Sequence, residues 1–223
     1  MAEVRAAFDR DLRALQDEVL VLASMVDKAI DRSIQALKRL DHEEASRIIH
    51  DDLAINEKRF DIEQEAIQLI ATQQPIARDL RTIVAVLNII VELERMGDYA
   101  EGIAKIVHLH GIQPLVKPLI DIPMMADDVR AMLHRAMDAF IHRDVPLATE
   151  VANMDDAIDE LYDRVYRDLL EIMLNDPRTI DRATWLLWVA HNLERTADRI
   201  TNICERVVYE VTGRMVEMNV SKY

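Results

Sequence analysis

The sequence predicts an all-α protein built as two tandem three-helix bundles related by internal duplication. Three observations support this. Only 4 Gly and 6 Pro occur in 223 residues, so few places can interrupt a helix. Half of the residues are hydrophobic and 30% are charged, yet only 4% are aromatic, and Ala, Leu, Ile, Val and Met alternate with charges as in long amphipathic helices. The scarce Gly and Pro also fall at comparable intervals in the two halves of the chain.

Taken in order, the first helix covers roughly 5–40 and stops at Asp41-His42-Glu43-Glu44, where a new N-terminus begins. The second covers roughly 43–72 and ends at Thr72-Gln73-Gln74-Pro75, and the third covers roughly 76–110. Between Gly111 and Pro123 one Gly and three Pro are too dense for a helix. Residues 113–123 are thus a Pro-rich linker between a first repeat, 1–112, and a second, 124–223, which closes in a short C-terminal tail. In the second half Asp144 and Asp176 precede Pro146 and Pro177 as N-caps, giving helices of roughly 124–142, 146–174 and 178–212. Connections this short make neighbouring helices antiparallel.

The duplication is visible in the residues themselves. Leu93-Glu94-Arg95, Asp98 and Ile103 recur 100 positions later as Leu193-Glu194-Arg195, Asp198 and Ile203. Asp41 and Ala45 recur as Asp144 and Ala148 at a slightly different offset, which implies a small indel. The net charge of −14 is shared evenly, since residues 1–112 hold 14 basic and 21 acidic side chains. This charge, with no basic patch in the sequence, argues against nucleic-acid binding by counterion release. A single Cys, Cys204, excludes an intramolecular disulfide or a cysteine zinc cluster and fits a reducing compartment. Charges between Met1 and Leu12 disrupt any signal-peptide core, and the apolar run Ile83–Val91 is too short for a bilayer, so a soluble cytoplasmic protein is expected.

The chemistry-bearing feature is a set of carboxylates. Glu94, Asp98 and Glu101 share one helical stripe that continues the apolar face of Ile83, Leu87, Ile90 and Val91. Glu194, Asp198 and Glu205 line up similarly behind Leu187 and Ala190. On the middle helices Asp155 and Asp159 are spaced i,i+4, and their first-repeat counterparts are Asp52 and Asn56. Like charges at this spacing repel, so compensation is expected from Arg95 and Arg195, from cations on neighbouring helices, or from a bound metal ion. Ligation by oxygen alone suits Mg²⁺, Ca²⁺, Mn²⁺ or iron.

Leu93-Glu94-Arg95-Met96-Gly97-Asp98 and Leu193-Glu194-Arg195-Thr196-Ala197-Asp198, together with Pro75-Ile76-Ala77-Arg78-Asp79-Leu80-Arg81, resemble the duplicated signature and the third-helix opening of the PhoU family. The resemblance covers nearly the whole chain. It implies a cytoplasmic, non-enzymatic negative regulator and adaptor of high-affinity phosphate uptake and phosphate-starvation signalling. Its implied partners are a membrane sensor histidine kinase and the ATPase subunit of a phosphate ABC transporter, with a homodimer as its own assembly and only indirect membrane contact. It also implies divalent metal or iron ions held by Glu94 with Asp98, Glu194 with Asp198, and Asp155 with Asp159. Asp52 and Asn56 fill the remaining place with less ligand charge. Two alternatives stay open: a carboxylate-ligated metalloenzyme, and a related regulator of a different phosphate carrier.

Other residues fit simpler roles. No His falls in a Glu-x-x-His or His-Glu-x-x-His pattern, and His191 reads as a polar neighbour of Glu194. Cys204 reads as a small buried hydrophobe, and Trp185 and Trp188 as inter-helix packing. Arg78 and Arg81, near a helix start, read as partners in ordinary ion pairs, with contact to an anion as the alternative. No Walker A loop and no Gly-x-Ser-x-Gly elbow occurs, which leaves nucleotide hydrolysis and acyl transfer without a seat.

Overall fold

The structure is a computed structural model that describes residues 2–218; Met1 and the end of the C-terminal tail, 219–223, lie outside the described residues. Its helices are α1 (Ala2–Arg39), α2 (His42–Gln73), α3 (Ala77–His110), α4 (Asp121–His142), α5 (Val145–Ala152), α6 (Asp155–Asn175) and α7 (Ile180–Thr212), with a 3-10 turn at Pro177–Thr179. No strand occurs among the described residues, in agreement with the all-α expectation. No described helix is long and apolar enough to cross a membrane.

Periodicity explains the long elements. On α1 the fully buried Leu15, Val19, Leu22, Val26, Ile30 and Ile34 recur every three or four residues and form one core-facing stripe. On α3, by contrast, burial wraps around the helix, because α3 packs against α1, α2 and α7 at once. The corresponding hub of the second repeat is α7, against which α4, α5 and α6 pack. The most extensive helix–helix contact in the molecule joins the hubs to each other, and α1 also meets α4. The two bundles therefore share one continuous apolar core. In the α3–α7 seam Thr82 meets Glu210, Glu92 meets Arg199, and His110 meets Trp185, so the two helices run antiparallel.

The duplication extends to backbone detail. Leu40 and Arg143, 103 positions apart, both adopt left-handed φ values of 51° and 53°. In each case the following Asp donates its backbone N–H across the helix end, Asp41 to the Ala36 carbonyl and Asp144 to the Ala139 carbonyl, both at 2.9 Å. This is a helix stop normally built on glycine, made here by larger residues. The same two Asp side chains then cap α2 and α5 by accepting from the Glu44 and Leu147 amides, both at 2.9 Å. Asp176 likewise caps the 3-10 turn by accepting from the Arg178 amide.

Three features differ from expectation. The predicted helix over 146–174 is broken at Asn153–Met154, where both residues keep right-handed helical dihedrals. Met154 and Ala157 bond three residues back, to Val151 and Met154, so the helix tightens and re-aims without leaving helical space. The start of α4 is Asp121, earlier than 124, because Pro123 sits in the first turn where its missing N–H costs nothing. Trp188 is half exposed instead of packed between helices, whereas Trp185 is partly buried beside His110.

Candidate functional site

The carboxylates gather where the middle and last helix of each bundle run side by side. In the first bundle, α2 brings Asp52 and Asn56 to the face of α3 that carries Glu94, Asp98 and Glu101. Gly97 makes this approach possible: a Cβ there would stand 3.1 Å from Ile55 Cγ2 and 3.4 Å from Asp52 Oδ1. Asn56 Nδ2 donates to Asp52 Oδ2 at 2.9 Å, and Lys105 Nζ donates to Glu101 Oε2 at 2.6 Å. A cavity of about 250 Å³ beside them is lined by Lys28, Asp52, Gly97 and Glu101, among others.

In the second bundle, the break before Asp155 buries that residue to 5% exposure, and α6 presents Asp155 and Asp159 to Glu194 on α7. Glu194 Oε2 is buried without a hydrogen bond, with His191 Nδ1 3.3 Å away, so His191 is the polar neighbour expected. Tyr162, one turn beyond Asp159, also feels the Glu194 charge. The sequence contained that signal, since Asp155, Asp159 and Tyr162 are spaced i, i+4, i+7 on one face. Glu205 does not join the group; it accepts from the Met218 amide at 2.9 Å.

Electrostatics shows that each group acts as a unit. Burial, then the charges of Glu101, Asp98 and Glu94, push the Asp52 carboxyl up to about 6. Burial, then Asp198, Asp159 and Asp155, push Glu194 up to about 7. Burial also raises Glu94, Asp98 and Asp198 above the usual carboxylate range. The arginines proposed as compensators offset this repulsion only in part: Arg95 pulls Glu94 and Asp98 down, and Arg195 pulls Glu194 and Asp198 down, yet all four stay raised. Among the described residues Arg95 and Arg195 form no ion pair, and Arg195 instead stacks over the Tyr99 ring at 5.0 Å. The carboxyls still stand above their ordinary range, so an added cation would relieve the repulsion that is left.

The donor set, oxygen only and net negative, fits a hard cation such as Mg²⁺, Mn²⁺ or iron. The side chains are not gathered into a coordination shell: among the described residues no three His, Cys, Asp or Glu side chains stand as a ready metal cage. Loading either group would need side-chain rotations that draw the oxygens inward.

Comparison with known proteins accounts for the pattern. The PhoU domain profile matches the chain twice, over residues 19–107 and 122–207. The phosphate-specific transport system accessory protein PhoU homolog of Clostridium acetobutylicum is 39% identical, covering 96% of this chain and 99% of its own. That of Aquifex aeolicus is 38% identical over 93% and 94% of the two chains. The crystal structure of the phosphate transport system regulatory protein PhoU from Streptococcus pneumoniae superposes with a TM-score of 0.87 at 32% identity, over 95% of this chain and all of that one. PhoU from Pseudomonas aeruginosa gives the same TM-score at 31% identity. The twin carboxylate groups, the duplicated helix stops and the shared α3–α7 seam are thus those of a protein that belongs to the PhoU family.

Proposed function

We propose that this protein is an accessory protein of a phosphate-specific transport system and a negative regulator of phosphate-starvation signalling. It acts as a cytoplasmic adaptor, not an enzyme, and docks its helical faces on a membrane sensor histidine kinase and on the ATPase subunit of the transporter. The observation that carries this reading is the likeness to PhoU accessory proteins over most of the chain, which spans both repeats.

Within that role, Glu94, Asp98 and Asp52 would hold a divalent metal or iron ion in the first bundle, and Glu194, Asp198, Asp155 and Asp159 another in the second. A bound cation supplies the positive charge that the raised carboxyls lack. Glu101 is drawn off by Lys105 and Asn56 adds no charge, so the first group is the weaker ligand set. The test is a deletion strain carrying a phosphatase reporter, grown in high phosphate. Constitutive expression, reversed by the wild-type chain, supports the regulatory role; unchanged repression transfers the reading to a regulator of a different phosphate carrier.

A further inference from the structure

We propose that an arginine-lined cavity at the opposite end of the hub helices binds a phosphate-class oxyanion, either free inorganic phosphate or a phosphoryl group. The cavity, of about 280 Å³, lies between α1, the start of α3 and the end of α4. Four arginines line it, Arg5, Arg13, Arg78 and Arg143, against Asp9 and Asp79 in the lining and the buried Glu210 behind Arg143, so one positive charge is left in excess on a chain of net −14.

Two of the arginines are fixed and two are uncommitted. Arg5 is clamped by Asp79 Oδ2 at 2.6 Å and Asp9 Oδ1 at 3.0 Å. Arg143, held in the left-handed helix stop, donates from Nε to Glu210 Oε1 at 2.8 Å and from Nη2 to Thr82 Oγ1 at 3.3 Å. Glu210 is fully buried on α7 and so acts as a positioning residue for Arg143. Arg13 and Arg78 make no ion pair among the described residues, contrary to the expectation for Arg78, and they present their guanidinium donors to water or to an incoming anion. Arg78 stands in the first turn of α3 one residue before Asp79, so both reach the cavity from the same helix start.

The two carboxylates select among anions. Asp9 and Asp79 each use one oxygen on Arg5, which leaves the other as an acceptor. Inorganic phosphate near neutral pH carries a P–OH that donates to such an acceptor, and a phosphoryl monoester keeps one in the monoanion present below its second pKa of about 6, whereas sulfate has no proton to give and meets only repulsion. Guanidinium forks supply the complementary donors for the remaining oxygens.

The test is calorimetric titration of the chelated protein at about pH 6, where a phosphomonoester still carries a P–OH, and at fixed ionic strength with inorganic phosphate, O-phosphoserine and sulfate. Chelation removes any metal–phosphate complex at the carboxylates. Wild type is expected to bind phosphate or phosphoserine at least tenfold more tightly than sulfate. Arg13→Gln with Arg78→Gln, both exposed and free of packing roles, is expected to lose at least tenfold of that affinity with an unchanged melting temperature. Binding of inorganic phosphate marks a free ion as the source, and binding of phosphoserine alone marks a phosphoryl group on a partner. Absence of binding to both, equal affinity in the double variant, or sulfate bound as tightly as phosphate overturns the proposal. The titration is independent of the reporter strain, so either result can fail without the other.

Discussion

Stability should fall as pH rises through neutrality, and a divalent cation should restore it. Glu194 titrates near 7 in the folded chain against an ordinary value of 4.5, so the native state holds this proton more tightly than the unfolded chain does. The stabilisation is fully present below about pH 4.5 and is lost as pH rises through about 7. At about 1.4 kcal/mol per unit the ceiling is about 3 kcal/mol, and a side chain one quarter exposed reduces that to about 1–2 kcal/mol. Asp52, raised from 3.8 to about 6, adds a contribution of the same order over a slightly lower window. For a domain of this size the two together correspond to a melting temperature lower by about 5–10 °C at pH 8 than at pH 5. The assay is thermal unfolding followed by circular dichroism at both pH values, in chelator and then with millimolar Mg²⁺ or Mn²⁺. Glu194→Gln combined with Asp52→Asn should remove both the pH-dependent loss and the metal-dependent recovery. Equal melting temperatures at pH 5 and 8 would refute the electrostatic argument. Equal metal responses in wild type and variant would refute the site.

Other outcomes follow from the same structure. Metal content measured on protein purified without chelator should drop in Asp98→Ala with Asp198→Ala, and equal content in both would sink the carboxylate groups as ligands. Asp41→Ala and Asp144→Ala should each cost about 1 kcal/mol in urea unfolding, since each removes a cap accepting at 2.9 Å. Leu193→Ala, fully buried on the hub α7, should cost about 3–5 kcal/mol and lower the urea midpoint without changing the slope.

The parts of the fold that were legible in the sequence are those fixed by local chemistry. Asp41 and Asp144 announce their helix starts because a short carboxylate beside a backbone amide is a local device, and the 100-residue echo of Glu94 and Asp98 announces the duplication. The break at Asn153–Met154 left no mark, because both residues keep helical dihedrals and neither is Gly or Pro. Trp188 was misplaced for another reason: periodicity gives the faces of a helix but not which neighbour covers each one. The same limit hid the role of Gly97, whose missing side chain matters only because Ile55 and Asp52 arrive from α2. It also hid the arginine cavity, whose lining is assembled from residues as far apart as Arg5 and Arg143.

The net charge of −14 therefore describes no single surface. Acid is concentrated along α2–α3 and α6–α7, while the arginine cavity sits about 24 Å away along α3, the rise of the 16 residues from Arg78 to Glu94. Two helices tie these places together. On α3 ride both Arg78 and the first carboxylate group, and on α7 ride the second group and Glu210, which fixes Arg143. The α3–α7 seam is the most extensive in the molecule, with Arg195 stacked across it on Tyr99. Glu210 accepts from both Arg143 and Thr82, so Glu210→Gln should loosen the arginine cavity and the α3–α7 seam together, read as a lower melting temperature than wild type; an unchanged one would refute the shared anchor.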